Sequence, residues 1–174
     1  WAAAPANLLC KVTYWDGTAT VLHYGNGQLV AVEEPGDAVT QFGYGEGLLS
    51  EVRGVLANDL IRNTKLADIA ATKTQISYDW VQPASAADQA TNIRPAFAKA
   101  SKAPTGEYPA GSIPLVTKVT GPAPDGALAD RPEHSYDYTV NLSTTKVTVK
   151  GITATASTVT YDPTGRTLTT RTAS

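Results

Sequence analysis

The chain has 174 residues, a formal net charge of −2 and 17% charged residues. That length is enough for one domain of ordinary size. The weak negative charge argues against a nucleic-acid partner, and no apolar run approaches the ~20 residues of a membrane-spanning helix.

Thr, Ala, Gly and Val are abundant, a mix that suits strands and tight turns. Cys10 is the single cysteine, so no internal disulfide holds the fold. The chain opens on Trp1 without a signal-peptide pattern. The strand-and-turn pattern would run on past Ser174, so the sequence reads as part of a longer chain.

Residues 11–53 read as a hairpin meander. Lys11 to Tyr14 is a strand and Asp16-Gly17 a turn. Thr18 to Tyr24 alternates, and Asn26-Gly27 is the strongest short hairpin signal in the chain. Leu29 to Val32, a turn at Pro35-Gly36-Asp37, Val39 to Tyr44, a Glu46-Gly47 turn and Leu48 to Val52 follow. Residues 54–81 form a connecting segment and a strand. Leu56, Leu60 and Ile61 lie at helical spacing, as do Leu66, Ile69 and Ala70. A short helix and a loop with a strand are both compatible with such short apolar runs. Thr74 to Trp80 is the strand. Residues 82–111 are rich in Ala, Pro and Ser and read as a long insertion or irregular loop. Residues 112–174 return to hairpins, with strands at Ile113 to Thr120, from Ser135 onward, and at Thr153 to Tyr161 and Arg166 to Arg171. A division of the chain into two β blocks at 82–111 is open.

A phrase recurs through these strands. Tyr161-Asp162-Pro163-Thr164-Gly165-Arg166-Thr167-Leu168 is its fullest form. Tyr24-Gly25-Asn26-Gly27-Gln28-Leu29 and Tyr44-Gly45-Glu46-Gly47-Leu48-Leu49 match each other twenty residues apart. Tyr78-Asp79 and Tyr136-Asp137 restate its first half, with no Gly-Arg at the expected distance. A tyrosine that ends a strand with its ring on the buried face, an aspartate that accepts turn N–H groups and a glycine at positive φ together describe one β-hairpin. A lone hairpin is barely stable, so the copies should stack side by side.

These residues resemble the RHS/YD-repeat family. Leu48-Leu49-Ser50-Glu51-Val52-Arg53-Gly54 and Thr72 to Asp79 are similar to its secreted actinobacterial branch. The resemblance covers most of the chain, with residues 80–112 the least typical. It implies an all-β fold of successive antiparallel hairpins in a curved sheet or ribbon, part of a hollow shell. Such shells enclose a toxin or belong to secreted or cell-surface proteins with adhesive roles. The implied partners are neighbouring repeats of the parent chain, a toxin cargo or carbohydrate. The family's self-cleaving core motif is absent.

No residue set stands out as catalytic, and no cofactor is expected. His23 and His134 lack the companions a metal site needs. Glu33 and Glu34 are adjacent on a strand and point to opposite faces, so they cannot act as a carboxylate pair. Glu46 or Glu51 could approach one of them across hairpins. Asp125, Asp130 and Glu133 lack a regular calcium-ligand spacing. The expected role is structural. An adhesive module that stacks sugars on Trp15 and Trp80 is the alternative, with a glycoside-active enzyme behind it.

Overall fold

A computed structural model describes residues 5–64, 70–83, 97–123, 131–139, 142–149, 151–161 and 166–172. The fold is all-β, built from successive antiparallel hairpins. The chain divides into two compact units, Trp1–Gln75 with Gly121–Leu128, and Ile76–Thr120 with Ala129–Ser174. The division falls inside a strand, not at the 82–111 segment.

The first unit carries β1 (Lys11–Thr13), β2 (Ala19–Gly25), β3 (Gln28–Glu34), β4 (Ala38–Gly45) and β5 (Leu48–Arg53) in sequential order. The first residues of β6 (Thr74–Pro83) pair with β5 through Glu51↔Gln75 and Val52↔Thr74. Between β5 and β6 lie helix α1 (Val55–Thr64) and a 3-10 turn at Ala70–Thr72. Of the two options that the sequence left open after Gly54, the helix forms. Its first bond runs from the Asn58 amide to the Gly54 carbonyl, and the Asn58 side chain donates to the Val39 carbonyl at 2.7 Å. That tertiary bond and the reach of Arg62 to the Asp37 carbonyl tie a weakly helical sequence to the sheet.

In the second unit β6 is followed by β7 (Phe97–Lys99), β8 (Ile113–Thr120), β9 (Glu133–Thr139), β10 (Leu142–Val149), β11 (Ile152–Tyr161) and β12 (Thr167–Thr172). β7 pairs with the far end of β6, and the remaining order is β6-β8-β9-β10-β11-β12. The expected insertion therefore contains a strand. Its residues 100–110 fold back until Tyr108 stacks on Trp80 of β6, with ring centroids 4.5 Å apart. Residues 84–96 of that insertion lie outside the described residues.

Pairing sorts side chains onto faces, because directly opposed residues share one. In the first unit one face carries Leu22↔Val32↔Thr40 and Phe42↔Val52↔Thr74. The opposite face carries His23↔Ala31↔Gln41↔Arg53 and Gly43↔Glu51↔Gln75. The second unit has the same division. Asp137↔Thr144↔Thr158↔Arg171 and Ser135↔Lys146↔Thr155 lie on one face, Tyr138↔Ser143↔Val159↔Thr170 and His134↔Val147↔Ala154 on the other. Each unit is thus a sheet with one polar and one more apolar side. Among the described residues no large side chain is fully buried, and the buried apolar residues are Ala31, Ala71 and Ala100.

The hairpin turns follow the sequence closely. Gly25↔Gln28 and Gly45↔Leu48 close two-residue loops in which both central residues have positive φ. These are Asn26 at 51° with Gly27 at 77°, and Glu46 at 52° with Gly47 at 79°. That is the type I′ geometry, whose twist matches that of the strands. Gly47→Val should cost about 1–3 kcal/mol, because a β-branched residue is strained at such a φ. Gly45→Ala should be close to neutral, since its added Cβ would meet Ser50 only at 3.7 Å. Urea denaturation of both variants checks the contrast.

Candidate functional site

Each of the clearest repeat copies carries the same local break in its ladder. Tyr24 faces Leu29 and Tyr44 faces Leu49, and the register slips immediately beyond each, leaving Val30 and Ser50 as extra residues. Tyr161 faces Thr167 with Leu168 as the extra residue. A bulge bends its strand and interrupts the hydrogen-bond ladder. It therefore belongs to the phrase, although no single residue type encodes it.

The tyrosines use the space beside these bulges. The Tyr44 hydroxyl donates to the Leu29 carbonyl at 2.8 Å, fifteen residues earlier. The Tyr24 hydroxyl donates to the Leu9 carbonyl at 2.8 Å over the same fifteen-residue separation. Leu29 is itself the partner of Tyr24, so Tyr44 reaches across to the hairpin before its own, while Tyr24 reaches to the segment that precedes β1. The pattern extends back to a turn at Pro5–Leu8, where the Leu8 amide bonds to the Pro5 carbonyl and Asn7 has φ 69°. Asn7 stands twenty residues before Gly27 and adopts the same left-handed conformation. In the second unit Tyr138 makes the equivalent reach, from β9 to the Val116 carbonyl on β8 at 3.0 Å.

Asn26, Gly27 and Gly47 occupy turns as expected, and Tyr24 and Tyr44 end strands. Tyr78-Asp79 lies inside β6, within the strand expected over Thr74 to Trp80, and Tyr136-Asp137 lies inside β9, so the expectation that these aspartates cap turns is corrected. Asp79 pairs with Lys99 at 3.0 Å, and Asp137 pairs with Lys146 at 2.8 Å on the neighbouring strand. No glycine or proline stands within the three residues after either dipeptide, where the fullest phrase has Pro163 and Gly165, so the β-forming residues there carry the strand on. Tyr138, which the repeat phrase does not mark, reaches across from β9 to β8. Asp162 and Gly165 lie outside the described residues, and Arg166 immediately precedes β12. Asp125 and Asp130 are likewise outside them, while Glu133 pairs with Lys118 at 3.0 Å.

The polar face of the first unit gathers a cluster of bonded charged and polar side chains. The His23 imidazole donates to Glu33 at 3.0 Å, and the Arg53 guanidinium donates to the Gln41 side chain at 3.0 Å. Glu51 accepts from Lys73 at 2.8 Å on one oxygen and from Gln75 at 3.4 Å on the other. Glu51 thus approaches neither Glu33 nor Glu34 in these bonds, and its oxygens serve Gln75 of β6 and Lys73 just before that strand. Gln41, Gly43, Glu51, Arg53 and Lys73 line an open hollow of about 250 Å³. A Cβ on Gly43 would stand 3.2 Å from the Glu51 Cβ, so the missing side chain leaves room for the glutamate. Among the described residues no group of three His, Cys, Asp or Glu side chains is placed to hold a metal ion.

Trp15 and Trp80 differ. Trp15 is 99% exposed, at the tip of the turn between β1 and β2. Asp16 fixes that turn by accepting from the amide and the hydroxyl of Thr18 at 3.0 and 2.7 Å. These hydrogen bonds, the one from the hydroxyl foremost, hold the Asp16 carboxyl below its ordinary value of 3.8. Tyr14 shares a hydrogen bond with Thr20 at 2.8 Å, steadying the other side of the turn. The Trp80 ring, by contrast, is engaged by Tyr108.

No protein-family model matches the chain, and no curated protein is significantly similar to it.

Removing one hydroxyl tests the tyrosine contact directly. Tyr44→Phe keeps the ring and should cost about 1 kcal/mol by leaving the Leu29 carbonyl without that donor. The loss should appear in urea denaturation as a lower midpoint at unchanged slope.

Proposed function

We propose that this chain is a non-catalytic structural segment of a secreted or cell-surface RHS/YD-repeat protein. Its hairpins would form part of a β-wall, with neighbouring repeats of the parent chain as partners, that encloses a toxin or displays a surface module. The observation that carries this reading is the recurrence of turn, bulge and tyrosine contact at twenty-residue spacing. A repeat that fixes backbone geometry while its polar-face residues vary suits a scaffold better than a catalytic centre. The two-faced sheets support it as well, since a wall needs one side for its contents and one for solvent.

A second reading is favoured by Trp15. A fully exposed indole on a hydrogen-bonded turn is a ready stacking surface for a sugar ring, which suits an adhesive, carbohydrate-binding module.

Deleting residues 25–44 removes one whole period and joins Tyr24 to Gly45, so the hairpin phrase is restored. That variant should keep a cooperative β-type thermal transition. Deleting residues 35–44 removes half a period and should abolish it. Equal damage from both deletions would sink the repeat-scaffold reading. For the adhesive reading, Trp15→Ala should lose retention on a glycan array while its circular dichroism is unchanged. Retention equal to that of the parent chain removes Trp15 from consideration.

A further inference from the structure

Asn26-Gly27 is the one place in the sequence where an asparagine precedes a glycine. Both residues are exposed, and they stand at φ 51° and 77° in the I′ turn between β2 and β3. Asparagine is a thermolabile residue, because its side-chain amide carbon is open to attack by the next backbone nitrogen. This turn leaves both groups unengaged. Among the described residues neither the Asn26 side-chain amide nor the Gly27 backbone amide makes a hydrogen bond. No atom lies within 4 Å of the place where a Gly27 Cβ would stand.

The other described asparagines differ on these points. Asn7 also has a positive φ, but the amide after it, that of Leu8, is bonded to the Pro5 carbonyl at 3.3 Å and carries a branched side chain. Asn58 and Asn63 lie in α1, where backbone amides are drawn into the helical ladder, and the Asn58 side chain donates to the Val39 carbonyl at 2.7 Å. Asn92 and Asn141 lie outside the described residues.

We infer that Asn26 is a site of spontaneous deamidation, and that the isoaspartate formed there releases the register of the first hairpin. The Gly27 nitrogen gives up its proton to solvent base and attacks the Asn26 Cγ. The N–Cγ bond forms, the Cγ–Nδ2 bond breaks, and the amide nitrogen takes a proton back and leaves as ammonia. Water then opens the cyclic imide at one carbonyl or the other, giving aspartate or isoaspartate. Glycine favours the attack, since a residue without a side chain lets the turn swing its nitrogen toward Cγ. The turn of the second hairpin has the same pair of positive φ values, but Glu46 offers a carboxylate, a poor electrophile, so the chemistry is confined to the first. The aspartate product keeps the main chain, and Asp-Gly still suits a I′ turn. Isoaspartate lengthens the main chain by one carbon. Gly25 and Gln28 then no longer close a two-residue loop, and the pairing of β2 with β3 loses the turn that sets it.

The test incubates the full folded chain in warm, mildly alkaline buffer and maps its peptides by mass spectrometry. The peptide holding Asn26 should gain about 1 Da and divide into aspartate and isoaspartate forms. Peptides holding Asn7, Asn58 and Asn63 should keep their mass, and Asn26→Gln should abolish the gain. No gain at Asn26 in the folded chain overturns the inference, whether or not urea-unfolded chain converts. Equal conversion at another described asparagine overturns it as well. The isoaspartate form is then separated, and its amide exchange is compared with that of Asn26→Asp, which has the same charge on an unaltered main chain. Protection of β2 and β3 should be lost in the isoaspartate form and kept in Asn26→Asp. Equal protection in the two overturns the release of register. If Asn26→Asp does not fold, the unconverted chain takes its place in the comparison, and equal protection again overturns the release.

Discussion

Register between hairpins is the constraint on which the first unit depends, and the tyrosine hydroxyls are placed to hold it. Within a hairpin the register is set by the turn, since the I′ geometry at Asn26-Gly27 and Glu46-Gly47 admits one pairing. Between hairpins the connection is looser. The Pro35-Gly36-Asp37 loop joins Glu34 to Ala38 and could tolerate a shift by one residue. Such a slip would turn Thr40 and Phe42 to the polar side and carry Gln41 and Arg53 onto the apolar one. The Tyr44 hydroxyl meets the Leu29 carbonyl only in the native register. The bulge at Val30 makes this possible, because it interrupts the ladder beside that carbonyl and a side-chain donor can enter.

A sheet with so few buried side chains draws its stability from cross-strand pairs and from what lies over its faces. Ala31 shows the principle at one point. It is fully buried between His23 and Gln41 on the polar side, where its small side chain lets the larger ones close over it. At the end of the same strands α1 is anchored through polar contacts, with Asn58 on the Val39 carbonyl and Arg62 on the Asp37 carbonyl. Its leucines are not packed away. Leu56 is 86% exposed, and with Leu60, Val52, Val55, Pro122 and Ala123 it lines an open apolar cavity of about 650 Å³. A helix held by hydrogen bonds, with its apolar stripe left open, is marginal by itself. Its existence is a property of the sheet beneath it.

Turn chemistry was the most legible part of the sequence. Asn26-Gly27 and Glu46-Gly47 needed no tertiary information, and the strands between them followed from alternation. The tyrosine contact was only half legible. That a tyrosine would fill the space between hairpins could be argued from its recurrence, but its acceptor is a backbone carbonyl fifteen residues away, fixed by a bulge with no sequence signature. Tyr136 and Tyr138 show the limit. They alternate on one strand and share a face, yet Tyr138 is the one placed by pairing to reach Val116. The Tyr-Asp text pointed to Tyr136 because it encodes residue types and not position along β9. The partners of Glu51 were hidden for a similar reason. Lys73 lies outside any strand, so neither periodicity nor pairing could bring it to the polar face.

Comparing the first two complete hairpins position by position separates what the fold requires from what it permits. Turn and apolar-face positions change little, with Thr20 and Thr40, Leu22 and Phe42, Tyr24 and Tyr44, Leu29 and Leu49, and Val32 and Val52 in equivalent places. The polar-face positions change completely. Val21, His23, Ala31 and Glu33 of the first hairpin become Gln41, Gly43, Glu51 and Arg53 of the second. The backbone is the same in both, so the substitutions follow the surroundings of each hairpin and not the demands of the turn. In the first, His23 fills the space and bonds to Glu33. In the second, Gly43 clears it, and Glu51 takes Lys73 and Gln75 instead. One face therefore carries the information that repeats, and the other carries what distinguishes one hairpin from the next. Two sides under different constraints let a scaffold vary what it presents without altering how it stands.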